Sequence, residues 1–224
     1  MSVARILSVN VARPERSTAK NAGLTGIHKR PVDRAVAVRA PGPKRTGLHS
    51  GLVGDQIFDI KHHGGNDQAV YAYAREDLDW WERELVRSLP GGLFGENLTT
   101  TGVDVNGAVI GERWRIGATL VLETTFGRIP CVTFQAKMDE PHWVKRFTAE
   151  CRPGAYLKVV VPGTVQAGDT VAVVDRPMHG VTIADAFRAT LLEPSTLAKY
   201  LEIPDLPPRL RAIFHERATT GSLA

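Results

Sequence analysis

Ala108-Val-Ile-Gly-Glu-Arg-Trp-Arg-Ile-Gly-Ala-Thr-Leu-Val-Leu-Glu-Thr-Thr125 contains two runs rich in β-branched and aromatic residues, 108–116 and 119–125, joined across Gly117. Short runs of this kind, bounded by glycine, read as strands with turns between them. The same texture extends in both directions, through 3–11, 34–40, 56–60, 69–73, 97–101, 155–161 and 170–174. Within 34–40, Ala35, Ala37 and Arg39 fall on one side and Val36 and Val38 on the other. Many short strands with glycine-rich turns predict a sandwich or barrel. Two helices interrupt it. Residues 75–86 place Leu78, Trp81 and Leu85 on one face, and residues 141–151 place Trp143, Phe147 and Cys151 on another.

The texture changes near Arg176-Pro177. Thr182 and Asp185 have capping-box spacing ahead of Ile183, Phe187 and Leu191. Pro194-Ser195 opens a second short helix with Leu197 and Leu201, and Pro207-Pro208 a third with Leu210 and Phe214. The expected organisation is a mainly β unit over residues 1–175 and a three-helix appendage over 176–224. The appendage is too small to bury much alone, so it should dock on the β unit or on a partner.

Composition narrows the class. The 224 residues are 43% hydrophobic and 23% charged, ordinary for a soluble globular protein. No apolar run approaches the roughly 20 residues that span a bilayer. The N-terminus lacks the apolar core of a secretory signal. The two cysteines, Cys131 and Cys151, form no C-x-x-C pair, which argues against a zinc ribbon or thioredoxin-type site and fits a reducing, cytoplasmic location. Cys151 sits on an apolar helical stripe and reads as structural. The chain carries a net charge of +4, yet residues 29–45 alone hold Lys29, Arg30, Arg34, Arg39, Lys44 and Arg45 against Asp33. Such a segment suits an anionic small ligand or a nucleic acid, or is simply a solvated loop. Residues 176–224 hold six Lys/Arg and five Asp/Glu, too weak a footprint for a DNA-reading helix-turn-helix.

Four short motifs could carry chemistry. In His62-His63-Gly64-Gly65-Asn66-Asp67 the glycines allow amide groups to converge on an anion, or form a plain tight turn with two surface histidines. If the strand persists, neighbouring histidines point to opposite sides, and at most one faces a site. In Arg128-Ile-Pro-Cys131 the cysteine precedes a short predicted helix, with a cation nearby in sequence. Both favour a thiolate, which can act as nucleophile, persulfide carrier or soft metal ligand. In Phe94-Gly-Glu96-Asn97, the two polar side chains could orient a ligand or cap the next element. Arg152, at a helix end, could face a phosphate or satisfy helix carbonyls. No P-loop, H-E-x-x-H, G-x-S-x-G or dinucleotide fingerprint is present.

Taken in order, Thr25-Gly-Ile-His-Lys29-Arg30-Pro-Val32, His63-Gly-Gly-Asn-Asp67-Gln-Ala-Val-Tyr71, Phe94-Gly-Glu-Asn-Leu98, Arg128-x-Pro-Cys131 and Gly163-x-Val-x-Ala-Gly168-Asp169 resemble the MOSC domain family, the molybdenum cofactor sulfurase C-terminal domains. The likeness is to the YiiM-like branch, with its C-terminal three-α domain, and covers nearly the whole chain. It implies a β-barrel holding a molybdenum cofactor of molybdopterin type, and no pyridoxal phosphate. It implies Cys131 as molybdenum ligand and catalytic residue, with His63 beside it as proton relay. Cofactor contacts would come from Lys29, Arg30, His63, Gly64, Gly65, Asp67, Glu96, Asn97, Arg128 and Arg152. The implied activity is reduction of small N-hydroxylated compounds of hydroxylaminopurine or amidoxime type. With no flavin or iron–sulfur motif, electrons would come from a separate donor protein. Neither a membrane nor a nucleic acid is expected as partner, and a homodimer is compatible with the pattern. The alternative on the same fold is a sulfur carrier or cofactor-handling protein with a Cys131 persulfide and no redox turnover.

Overall fold

The computed structural model describes residues 3–19 and 23–220. The strands are β1 (Arg5–Ala12), β2 (Glu15–Arg16), β3 (Leu24–Thr25), β4 (Lys29–Pro31), β5 (Val36–Val38), β6 (Val70–Ala74), β7 (Leu98–Thr101), β8 (Arg113–Ile116), β9 (Leu120–Phe126), β10 (Ala155–Val161), β11 (Gly163–Val165) and β12 (Val171–Asp175). The helices are α1 (Arg75–Leu85), α2 (Val132–Met138), α3 (Trp143–Glu150), α4 (Ile183–Leu191), α5 (Leu197–Leu201) and α6 (Pro208–Thr220). Eight strands form one mixed sheet in the order β12-β8-β9-β10-β6-β7-β1-β4; β11 pairs with β5, and β2 with β3. The β6–β7 pair is parallel.

The opening stretch folds as its alternation requires. Trp114 and Ile116 of β8, and Leu120 and Leu122 of β9, turn inward, while Arg113 and Arg115 remain exposed. The run 108–116 is strand only from Arg113. Gly111 has φ +90°, Glu112 N–H donates back to Val109 at 2.8 Å, and the pleat is broken there.

Strand β6 is buried at all five positions, and its period of two divides it between two cores. Val70, Ala72 and Ala74 join the sheet's aliphatic core. Tyr71 and Tyr73 face an aromatic core with Trp81 of α1, Phe94, Phe134 of α2, and Trp143 and Phe147 of α3. Trp81 Nε1–H donates to Tyr73 Oη at 3.0 Å, so burial leaves neither group unpaired.

The fold is a mixed α/β one dominated by the eight-stranded sheet, and β1 meets the segment before β12 through the Arg5–Thr170 bridge, where Ile6 N–H donates to Asp169, Val171 N–H to Ala4 and Gly168 N–H to Ile6. Two expectations are corrected. Residues 56–60 are not a strand; this loop lines a cleft, and a Cβ on Gly26 would lie 2.0 Å from the Gln56 carbonyl oxygen. The run 34–40 shrinks to β5, which pairs with β11 on one side and meets Leu52 through a bridge at Val38.

The tail forms the helices its prolines and caps announce. Thr182 and Asp185 make the reciprocal capping box at the start of α4. Leu197, Leu206, Leu210 and Phe214 enter the same core as the sheet. Arg209 of α6 pairs with Asp67, and Arg217 Nε donates to the Thr190 carbonyl at 2.7 Å. No helix among the described residues is long and apolar enough to cross a membrane.

Candidate functional site

The walls of one cleft come from segments far apart in sequence: β3 and the loop to Lys29, the 56–59 loop, the His63-Gly64 turn, Gly95, Asn97, and Arg128 with Cys131. It encloses a cavity of about 120 Å³ with one side open to solvent. Of the candidate residues, Cys131, His63, Lys29, Gly64, Asn97 and Arg128 line it.

Cys131 is the extended residue immediately before α2, with φ −136° and ψ 170°. Burial pushes its thiol up. The hydrogen bond with His63, the Arg128 charge and the Phe134 N–H outweigh that, and its pKa falls to about 6. At neutral pH it is therefore a thiolate. Arg128 is buried and pairs with no carboxylate among the described residues. Its Nη1 donates to the Phe94 carbonyl, its guanidinium lies 3.9 Å from the Phe134 ring centroid, and its Nε has no partner. A buried cation in this condition needs an anion. The Cys131 thiolate is one such charge, and burial of Arg128 is offset by Tyr71, Tyr156 and Cys131, so it keeps its proton.

Lys29 extends from β4 into the cleft wall and is held by Asp55, Nζ to Oδ1 at 2.5 Å. Asp55 also accepts from Ser50 Oγ at 2.7 Å, Asn97 Nδ2 at 3.0 Å and the Ala12 N–H at 2.7 Å. Burial raises this carboxyl, but the Lys29 charge and these hydrogen bonds hold it below its ordinary value. Asn97 completes the frame by accepting from the Tyr71 N–H at 3.1 Å.

The remaining candidates lie outside this wall. Arg30, next in a strand to Lys29, points to solvent, with Glu15 3.8 Å away. Asp67 is engaged by Arg209 of the tail. Glu96 is fully buried and accepts from the Gly92 N–H at 2.6 Å and Thr99 Oγ1 at 2.9 Å; burial raises its carboxyl. Arg152 donates to Asp77 at 2.6 Å and lies 4.6 Å from the Trp80 centroid. Gly65 N–H is spent on the His49 carbonyl at 2.9 Å, so it does not serve an anion nest. With φ +83°, and a Cβ that would sit 2.8 Å from Lys44 Cα, Gly65 serves close loop packing instead. The two histidines separate in a turn rather than a strand: His62 pairs with Asp59 at 3.0 Å in solvent, while His63 turns to Cys131.

Sequence reasoning missed Asp55, Tyr71, Tyr156 and the 56–59 wall. A signal for Asp55 existed: it is the sole carboxylate between Asp33 and Asp59, beside a strongly basic segment.

The model of the MOSC domain matches residues 59–172. YflK of Bacillus subtilis strain 168 is 30% identical over 184 residues, covering 82% of this chain and 79% of YflK. YiiM of Escherichia coli K12 is 30% identical over 139 residues, 61% of each chain. A protein named "Reductase" from Gibberella moniliformis is 25% identical over 90% of this chain, which spans only 35% of that longer protein. Among solved structures, YiiM from Geobacillus stearothermophilus superposes with a TM-score of 0.74 at 25% identity, covering 96% of this chain and all of that one. The chain therefore belongs to the MOSC domain family, in its YiiM-like branch.

Proposed function

We propose that this protein is a molybdenum-cofactor-dependent oxidoreductase that reduces small N-hydroxylated compounds, with Cys131 as the metal's protein ligand. The carrying observation is the convergence of a thiolate with a pKa of about 6, His63 and the buried Arg128 on one cleft. Membership of the MOSC family, associated with molybdenum-cofactor binding, and a relative named as a reductase support the same chemistry.

The residues present fit such a group. A soft thiolate suits a high-valent metal already carrying sulfur ligands. Arg128 offers an unpartnered Nε in a wall of the cleft, and Lys29 adds a second fixed cation, suited to the group's anionic end. When bound, the cofactor supplies two-electron redox chemistry at the metal.

The chain's own residues orient and protonate. Loss of water from an N–OH group consumes two protons as well as two electrons, and the His63 imidazole in the cleft wall beside Cys131 is the side chain that would relay one. Asp55 and Asn97 fix the Lys29 side of the wall, and Tyr71 and Tyr156 form an apolar-bodied floor.

The test is elemental analysis and pterin fluorescence on protein from a cofactor-competent host, followed by turnover of N-hydroxylaminopurine with reduced viologen. Stoichiometric molybdenum with turnover supports the proposal. A metal-free protein carrying a Cys131 persulfide would establish the sulfur-carrier alternative.

A further inference from the structure

We infer that Gln68 and Tyr156 form a polar pair that reads the N–H and the O–H of the substrate's hydroxylamino group, so that the cleft selects R–NH–OH over R–N(CH3)–OH; this rests on the reductase reading above. Both residues line the cleft with Cys131 and His63. Gln68 ends a single 3-10 turn, Asn66–Gln68, where its N–H donates to the Gly65 carbonyl at 3.1 Å. Thr125 Oγ1 shares its proton between the carbonyls of Asp67, at 2.6 Å, and Tyr156, at 3.1 Å, which ties that turn to β10. Tyr71, three residues beyond Gln68, brings its ring centroid to 5.1 Å from that of Tyr156.

Each residue carries a polar atom that the fold leaves unengaged. Gln68 Oε1 is buried and accepts no hydrogen bond from any described residue. Such an acceptor costs stability unless a donor meets it, and in a cleft wall that donor is a ligand's. The tyrosines of this region divide in the same way. Tyr71 Oη donates to the Pro153 carbonyl and Tyr73 Oη to the Arg152 carbonyl, both at 2.8 Å. The Tyr156 hydroxyl bonds to none of the described residues, and its electrostatic neighbours are Arg128 and Cys131. Burial pushes this hydroxyl up, opposed by the Arg128 charge and aided by the Cys131 thiolate, so it keeps its proton and is a donor near neutrality.

An acceptor and a donor side by side match the two ends of the reacting group. Reduction of R–NH–OH breaks the N–O bond and forms R–NH2 and water, taking two electrons and two protons. The nitrogen keeps its N–H throughout, so the Gln68 acceptor holds substrate and amine product alike. The oxygen departs, so the Tyr156 donor engages only the hydroxylated form. A methyl group in place of the N–H leaves Gln68 Oε1 buried and unpaired, which is how a site rejects an analogue that lacks one donor.

The experiment uses the full-length, molybdenum-loaded protein with reduced methyl viologen and two substrates, N-hydroxylaminopurine and the derivative methylated on its hydroxylamino nitrogen. Wild type should prefer the N–H substrate by about tenfold or more in kcat/KM. Gln68→Met keeps the side chain's length without the acceptor, and should lose that preference through the N–H substrate alone. Gln68→Glu keeps an acceptor oxygen and should retain the preference. Tyr156→Phe should lower kcat/KM about tenfold on both substrates and leave the preference intact. In calorimetry, adenine should bind Gln68→Met about tenfold more weakly than wild type, and Tyr156→Phe as wild type does. A preference unchanged in Gln68→Met would mean that the methyl group is rejected by size, and would overturn the pairing; so would Tyr156→Phe at wild-type kcat/KM. Where Gln68→Met does not fold, Gln68→Ala takes its place with the same expected loss. No wild-type turnover of either substrate would instead defeat the reductase reading. The pair is then judged by calorimetry: adenine binding weakened in Gln68→Met supports it, and equal or absent binding overturns it.

Discussion

The two cysteines sit at opposite kinds of helix end, and their surroundings make them chemically different. Cys131 precedes α2 in a cleft wall, where His63 and Arg128 bring its pKa to about 6 despite burial. Cys151 ends α3 in the left-handed conformation, with φ 50°. Burial pushes its thiol up, and its Sγ only faces the Thr148 carbonyl at 3.6 Å. Both are partly or wholly removed from water, so burial alone does not distinguish them. What separates them is a histidine brought in by a distant segment and an arginine of the same short loop that pairs with no carboxylate among the described residues.

The sharpest way to break this contrast is to replace each sulfur. Cys131→Ser should abolish turnover, by about a hundredfold or more, at nearly unchanged stability. Cys151→Ser should retain turnover and lose about 1–3 kcal/mol in urea unfolding, because a hydroxyl is buried without a good partner. Loss of turnover in Cys151→Ser at full stability would reverse the assignment.

The cleft's Lys29–Asp55 pair should rank next. Lys29→Ala leaves a buried carboxylate uncompensated and should cost about 3 kcal/mol at pH 7, read by urea unfolding. Asp55 has a depressed pKa in the folded state. Its contribution is therefore complete above the ordinary carboxylate range and lost as pH falls through the depressed value. The wild-type advantage over Lys29→Ala should shrink on acidification in that window.

His63 and His62 sharpen the contrast at a smaller scale. His63→Ala should lower turnover about tenfold per bound molybdenum, equivalent to about 1.4 kcal/mol of barrier. His62→Ala, whose side chain pairs with Asp59 in solvent, should stay within about threefold of wild type. A greater loss for His62 would put the wrong imidazole in the cleft. Smallest of all should be Arg209→Ala. Its ion pair with Asp67 is exposed, and removing it should change stability by no more than about 0.5 kcal/mol in thermal unfolding.

These rankings track what could be read from the chain. Local signals were legible: the alternation in β8 and β9, the capping box of α4, and the aromatic stripe of α3 all depend on neighbours within a few residues. The cleft was legible only in its motif residues. Lys29 and Arg30 look alike in sequence, and the strand's period of two sends one to Asp55 and the other to solvent. Which one turns inward depends on the register of β4 against β1, set by Asn10 opposite Pro31. Glu96 looked like a ligand and is instead an internal acceptor, because the Gly92 N–H and Thr99 reach it first. The 56–60 run had a strand's composition, but no neighbouring edge accepts it. Long-range partners of this kind leave no local trace.

The most direct test of the account is the pH dependence of Cys131 alkylation by iodoacetamide, followed by mass spectrometry in wild type and His63→Ala, with Cys151 as internal reference. The cleft predicts a wild-type midpoint near pH 6 at Cys131. His63→Ala should move that midpoint upward, since burial then opposes the thiolate with one hydrogen bond fewer. Cys151 should react slowly and only at higher pH. A Cys131 midpoint at the ordinary thiol value of about 8.5, or one unmoved by loss of His63, would contradict it.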